Sequence, residues 1–142
     1  MIRRVAKFVG LPRGERALTA KILTVALFVE GGLRLRRFPV LIRLLGLSVE
    51  RRPDGGVPPS PLDLASLVAA VDRVLRSWPT EGRCLRRSLV LGVLLRRHHP
   101  VIRFGVAKQA GRIDAHAWVE LGAMPIGEPV DPTLRFVPLN VP

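Results

Sequence analysis

The chain has 142 residues, 48% of them apolar, which is enough for one hydrophobic core and excludes a disordered chain. A net charge of +12, carried by 20 Arg and 3 Lys, points to an acidic partner surface. The arginines are scattered in pairs, aromatics are only 5% and Tyr is absent, so no nucleic-acid-reading face is expected and most of the basic residues read as solvated surface.

A single Cys excludes an internal disulfide, no Cys/His cluster has metal-ligand spacing, and a reducing, cytoplasmic setting fits. The N-terminus, "MIRRVAKFVG", begins basic like a signal peptide. Its nearest apolar run, Ile22 to Val29, is closely flanked by Lys21 and Glu30 and falls far below the ~20 apolar residues that span a bilayer.

Leu18, Ile22, Val25, Ala26 and Val29 recur at helical spacing, and Gly31-Gly32 is expected to end that helix. A short helix is expected from Pro39 to Leu45, with Gly46 after it. Residues 50–61, "ERRPDGGVPPSP", read as a linker. Ser60, Pro61 and Asp63 then announce a helix by cap, first-turn proline and capping-box carboxylate. Its apolar face is Leu64, Leu67, Val68, Val71 and Leu75, and Trp78-Pro79 breaks it.

The next helix starts at Cys84 within "CLRRSLVLGVLLRR". Leu89 to Leu95 carry no charge, so this helix is expected to be central and buried nearly all round. His98 and His99 close it beside Pro100 and read as end residues suited to the macrodipole. The period then changes to two. "VIRFGVAK" and "RIDAHAWVEL" are strands, the second with Ile113, Ala115, Ala117, Val119 and Leu121 toward the core. Asp114, His116, Trp118 and Glu120 share its other face, which is expected to line a cleft.

A thiol at a helix start, with an imidazole arriving from a packed strand, is the arrangement of a cysteine nucleophile and its base. Cys84 and His116 fill these roles, and the Cys84 N–H is available to an oxyanion. The imidazole also needs a group to hold its tautomer, and Asp114, Glu120, Glu128 and Asp131 are the candidates. Residues two apart on a strand lie about 7 Å apart, so Asp114 and Glu120 sit beside the ring rather than at its end. A hairpin turning near Ala123 places residue 130 across from His116 and Glu128 opposite Trp118. That register favours Asp131, while Pro125 and Pro129 leave Glu128 open.

"CLRRSLVLGVLLRR", "FGVAKQAGRIDAHAWVEL" and "VDPT" together resemble the transglutaminase-like cysteine proteases, in particular the stand-alone leader peptidases of lasso-peptide biosynthesis. The resemblance is strong from about residue 78 to the end and looser before it. It implies an α+β fold with a transglutaminase/papain-like core: a central Cys-bearing helix on a small antiparallel sheet, with added N-terminal helices. It also implies a triad of Cys84 as nucleophile, His116 as general base and Asp131 as the residue orienting it, without metal or cofactor. The implied partners are a precursor peptide, a small leader-binding protein and an ATP-dependent cyclase.

The expected organisation is an N-terminal helical region over 1–49, a linker over 50–61 and the protease core over 62–142. Residues 17–47, with Arg34, Arg36, Arg37 and Arg43 among them, are expected either to dock the partner or leader or simply to complete the core. Two other functions use the same residues. One is acyl transfer to an amine, as in transglutaminases. The other is a basic binding module in which Cys84 is inert.

Overall fold

The computed structural model describes residues 12–35, 37–49, 59–79 and 81–139. Arg36 and most of the expected linker lie outside the described residues. Among the described residues, four α-helices precede a four-stranded antiparallel sheet, an α+β fold as expected. The helices are α1 (Arg13–Leu35), α2 (Phe38–Leu44), α3 (Pro61–Leu75) and α4 (Arg83–Leu94). The strands are β1 (Val101–Gln109), β2 (Arg112–Leu121), β3 (Met124–Pro125) and β4 (Val137–Pro138), in the order β3-β2-β1-β4.

α1 departs from expectation by running through Gly31 and Gly32 rather than ending there. Tertiary packing overrides the poor helix propensity of glycine. A Cβ on Gly32 would lie 2.3 Å from Leu41 Cδ1, so the missing side chain lets α2 pack tightly against α1. The start of α3 follows its sequence signals: Asp63 N–H donates to Ser60 Oγ at 3.2 Å, and Pro61 is the first helical residue.

One continuous apolar core joins Ile22 and Val29 of α1, Leu41 of α2, Val71 of α3, Leu89 and Leu91 of α4, and Ile102 and Val119 of the sheet. Side chains from both sides of the expected linker therefore share it. α4 is buried from Ser88 to Gly92, which explains its uncharged stretch. Among the described residues, no helix is long and apolar enough to cross a membrane.

β1 and β2 are joined by a two-residue turn in which Ala110 and Gly111 both have positive φ, the geometry that matches strand twist in tight hairpins. The second hairpin differs from expectation. Glu120 pairs with Pro125 and Leu121 with Met124, one residue out of the expected register, and the ladder ends there. One further bond follows, from the Ile126 N–H to the Val119 carbonyl at 2.8 Å. The chain then leaves the sheet, so strand pairing does not set the heights of residues 128–131.

The expected cleft face of β2 is also revised. Trp118 and Glu120 are fully buried, and Trp118 Nε1 donates to Glu120 Oε1 at 3.0 Å. Phe136, from the C-terminal segment, packs with Trp118 and Ala107 as a second small core. The core face, in turn, is buried only from Ala117 onward: Ala115 is exposed, and Ile113 is 79% exposed.

Candidate active site

Cys84 is the second residue of α4, behind a Gly82 whose φ of 73° is left-handed. Its backbone N–H is one of the first-turn donors that a helix cannot satisfy internally. The N-cap residue, Gly82, has no side chain to satisfy it. Instead, Arg86 reaches back from within the first turn and donates to the carbonyls of Glu81 and Gly82.

Arg86 is held from the other side by Glu30 of α1. Its Nε donates to Glu30 Oε2 at 2.6 Å and its Nη2 to Oε1 at 3.4 Å. Glu30 also accepts from Trp78 Nε1 at 3.3 Å and Arg34 Nε at 2.9 Å. The Arg86 guanidinium, with help from Trp78 and Arg34 and against the effect of burial, holds the Glu30 carboxyl down at about 2. A buried carboxylate on α1 therefore braces the turn that carries the thiol.

Ser88, one turn beyond Cys84, links the nucleophile helix to the strand of the base. Its hydroxyl lies 2.8 Å from the carbonyl oxygen of Cys84 and 2.9 Å from that of Ala117, the neighbour of His116. This buried polar bridge registers α4 against β2. Cys84 and His116 accordingly line one cavity of about 430 Å³.

The His116 ring stacks on Phe136, with centroids 5.1 Å apart, and on Trp118 at 6.0 Å. Gly105 lies directly opposite on β1, and a Cβ there would come within 2.8 Å of Phe136 Cβ, so the stack requires glycine at this position. His116 Nε2 is 3.1 Å from Glu128 Oε2. With Nε2–H donated to that carboxylate, Nδ1 is left as the basic nitrogen. Glu128 is itself oriented by Arg87, whose Nη1 donates to its Oε1 at 3.1 Å. Arg87 also donates to Asp72 Oδ1 at 2.6 Å and to the Gly127 carbonyl at 2.8 Å. The helix bearing the thiol thus also carries the residue that fixes the carboxylate.

Asp131, expected at His116, is exposed and turned to other work. Its Oδ1 accepts from the Thr133 hydroxyl at 2.7 Å and the Thr133 N–H at 2.9 Å, capping the 3₁₀ turn Pro132–Leu134. Those two donors hold its carboxyl below the usual carboxylate range. Asp114 pairs with Arg135 at 2.7 Å on the surface. His98 lies in the 3₁₀ turn Arg96–His98 that follows α4, and His99 directly after it.

Sequence reasoning missed Glu30, Arg86, Arg87 and Ser88. In sequence the adjacent pair Arg86-Arg87 has no role of its own, yet both side chains are only 17% exposed and turn to opposite partners, Glu30 and Glu128. Their position directly after the Cys, on a helix expected to be central, was the available signal. Among the described residues, no cluster of His, Cys, Asp and Glu could hold a metal ion.

No curated protein and no solved structure matches the chain. A family model described as the transglutaminase-like superfamily, which includes cysteine peptidases, matches residues 27–141, from the second half of α1 to the C-terminal segment. With the match spanning the thiol helix, the imidazole strand and the segment bearing Glu128, the chain belongs to the transglutaminase-like superfamily.

Proposed function

We propose that this chain is a cytoplasmic cysteine peptidase that removes the leader from a ribosomally made lasso-peptide precursor. Cys84 is the nucleophile, His116 the general base and Glu128 the residue orienting the imidazole. The observation that carries the catalytic part is the contact of His116 Nε2 with Glu128 on the wall of the cavity that Cys84 also lines. The leader-peptidase assignment is supported by the resemblance of the "CLRRSL", "HAWVEL" and "VDPT" segments.

In this reading His116 Nδ1 takes the Cys84 proton and the thiolate attacks the scissile carbonyl, forming a C–S bond. The Cys84 N–H donates to the oxyanion, and His116 returns the proton to the departing amine. Water then attacks the thioester, the proton passing through the same imidazole, and releases the leader acid and the free thiol. The freed core amine is the group that an ATP-dependent cyclase would acylate.

A small leader-binding protein fits the α1–α2 surface, where Leu27, Phe28 and Leu44 are 64%, 67% and 62% exposed. With that protein present, Leu27→Asp combined with Phe28→Asp is expected to remove its stimulation of cleavage. Unchanged stimulation would move the partner elsewhere.

The experiment that tests the site is alkylation of Cys84 by iodoacetamide at pH 6.5, followed by intact mass. Wild type is expected to react at least about tenfold faster than His116→Ala. Equal slow rates in the two proteins, with and without the leader-binding protein, would leave Cys84 an inert thiol. Mass analysis of products from a precursor peptide then separates hydrolysis, which yields two fragments, from acyl transfer, which yields a new amide.

A further inference from the structure

The cavity that holds the nucleophile has a chemical character of its own. Apart from Cys84 and His116, the side chains that line it among the described residues are all apolar. Phe38, Leu85 and Phe104 are half-buried, and Ala115 and Leu139 at the rim are exposed. Phe38 and Phe104 meet edge to face at 5.5 Å, a rigid aromatic corner that joins α2 to the sheet. The apolar surface continues outward along the hairpin, because Val106 pairs with Ala115 and the next position on that face is the exposed Ile113.

We propose that this cavity is a specificity pocket for an uncharged, apolar side chain of the substrate peptide, adjoining the scissile bond. The proposal deepens the cysteine peptidase reading and rests on it. A charged or amide side chain entering here would lose its water and find no free side-chain partner among the described residues of the lining. His116 Nε2 is committed to Glu128, and the Gly105 backbone belongs to the β1–β2 ladder. An aliphatic or aromatic side chain meets complementary walls, and each buried methylene favours binding about fourfold. The volume, about 430 Å³, lies near the small end of ligand pockets, which run from roughly 300 to 1,000 Å³. That is space for one large side chain and its backbone rather than for a long peptide. Specificity at the bond would then come from a single apolar residue.

Peptide aldehydes test this directly. The Cys84 sulfur adds to the aldehyde carbon and the thiol proton passes to its oxygen, so a thiohemiacetal forms reversibly with no leaving group. Two series on the full chain, acetyl-Ala-Xaa-aldehyde and acetyl-Xaa-Ala-aldehyde, carry Leu, Phe, Ser, Asp or Lys as Xaa. The readout is protection of Cys84 from iodoacetamide, followed by intact mass. In one of the two series Leu or Phe is expected to protect at concentrations at least about tenfold lower than Ser, Asp or Lys. Ala115→Asp, and separately Leu139→Asp, should turn that ratio toward Lys, since both positions are exposed at the rim. Flat protection across both series, or preference for a charged Xaa in wild type, overturns the pocket while leaving the nucleophile intact. Absence of protection by every aldehyde, with equal alkylation of wild type and His116→Ala, overturns the peptidase reading and the pocket with it.

Discussion

Glu128→Gln is expected to lower cleavage of a precursor peptide by roughly 10³-fold, whereas Asp131→Asn is expected to leave it within about threefold of wild type. The reason is the tautomer. Glu128 can only accept, so it fixes the proton on His116 Nε2 and leaves Nδ1 as the base. A Gln amide can donate to Nε2 instead, which moves the ring proton to Nδ1 and abolishes its basicity. The ionised carboxylate also stabilises the imidazolium that forms while the proton is in transit. Arg87 donates to one Glu128 oxygen, and the amide oxygen of the variant can accept the same bond, so the loss reflects the proton and the charge rather than a displaced side chain. At Asp131, Asn retains the oxygen that accepts from the Thr133 N–H, so the 3₁₀ turn survives. Steady-state kcat/KM for the two variants decides between them. A loss at Asp131→Asn as deep as that at Glu128→Gln would return the orienting role to Asp131.

The contrast between these two acids also marks where sequence reasoning stops. Local signals were sufficient for the thiol helix, the β1 and β2 strands and the start of α3, because periodicity, caps and a first-turn proline are properties of neighbouring residues. The uncharged run from Leu89 to Leu95 likewise implied a central, buried helix, and the family resemblance supplied the sheet beneath it. The expected partner of the imidazole depended instead on a hairpin register carried from Met124 as far as Asp131. That pairing runs no further than Ile126, whose N–H donates to the Val119 carbonyl, after which Glu128 is held by Arg87 and Asp131 by Thr133. Side-chain bonds of this kind leave no periodic trace. The same is true of Glu30: in sequence it is only a charge flanking an apolar run, and the fold brings it to Arg86, 56 residues away. The continuation of α1 through Gly31 and Gly32 belongs here too, since Gly32 makes room for Leu41 across a tertiary contact that propensity cannot register.

The second large effect is expected at Glu30, far in sequence from the thiol. Glu30→Gln leaves the Arg86 guanidinium, only 17% exposed, without its charge partner, and breaking a buried pair of this kind costs about 3 kcal/mol. The expected fall in Tm is on the order of 10 °C. The pH dependence carries a sharper signature. The Glu30 carboxyl is held at about 2 in the folded chain, below the ordinary value of 4.5, chiefly by the hydrogen bond from Arg86. A depressed carboxyl pKa stabilises the fold in full above 4.5 and loses that contribution as the pH falls toward 2. Unfolding free energy of wild type should therefore drop more steeply than that of Glu30→Gln across this window, and the two curves should converge at its acid end. Denaturant unfolding at a series of pH values measures both curves, and parallel curves would mean that Glu30 is not ionised against Arg86 in the folded state. The same substitution should reach the thiol. Arg86, once released, no longer holds the carbonyls of Glu81 and Gly82, so the turn before Cys84 loosens and its alkylation at pH 6.5 slows even at temperatures where the variant is fully folded.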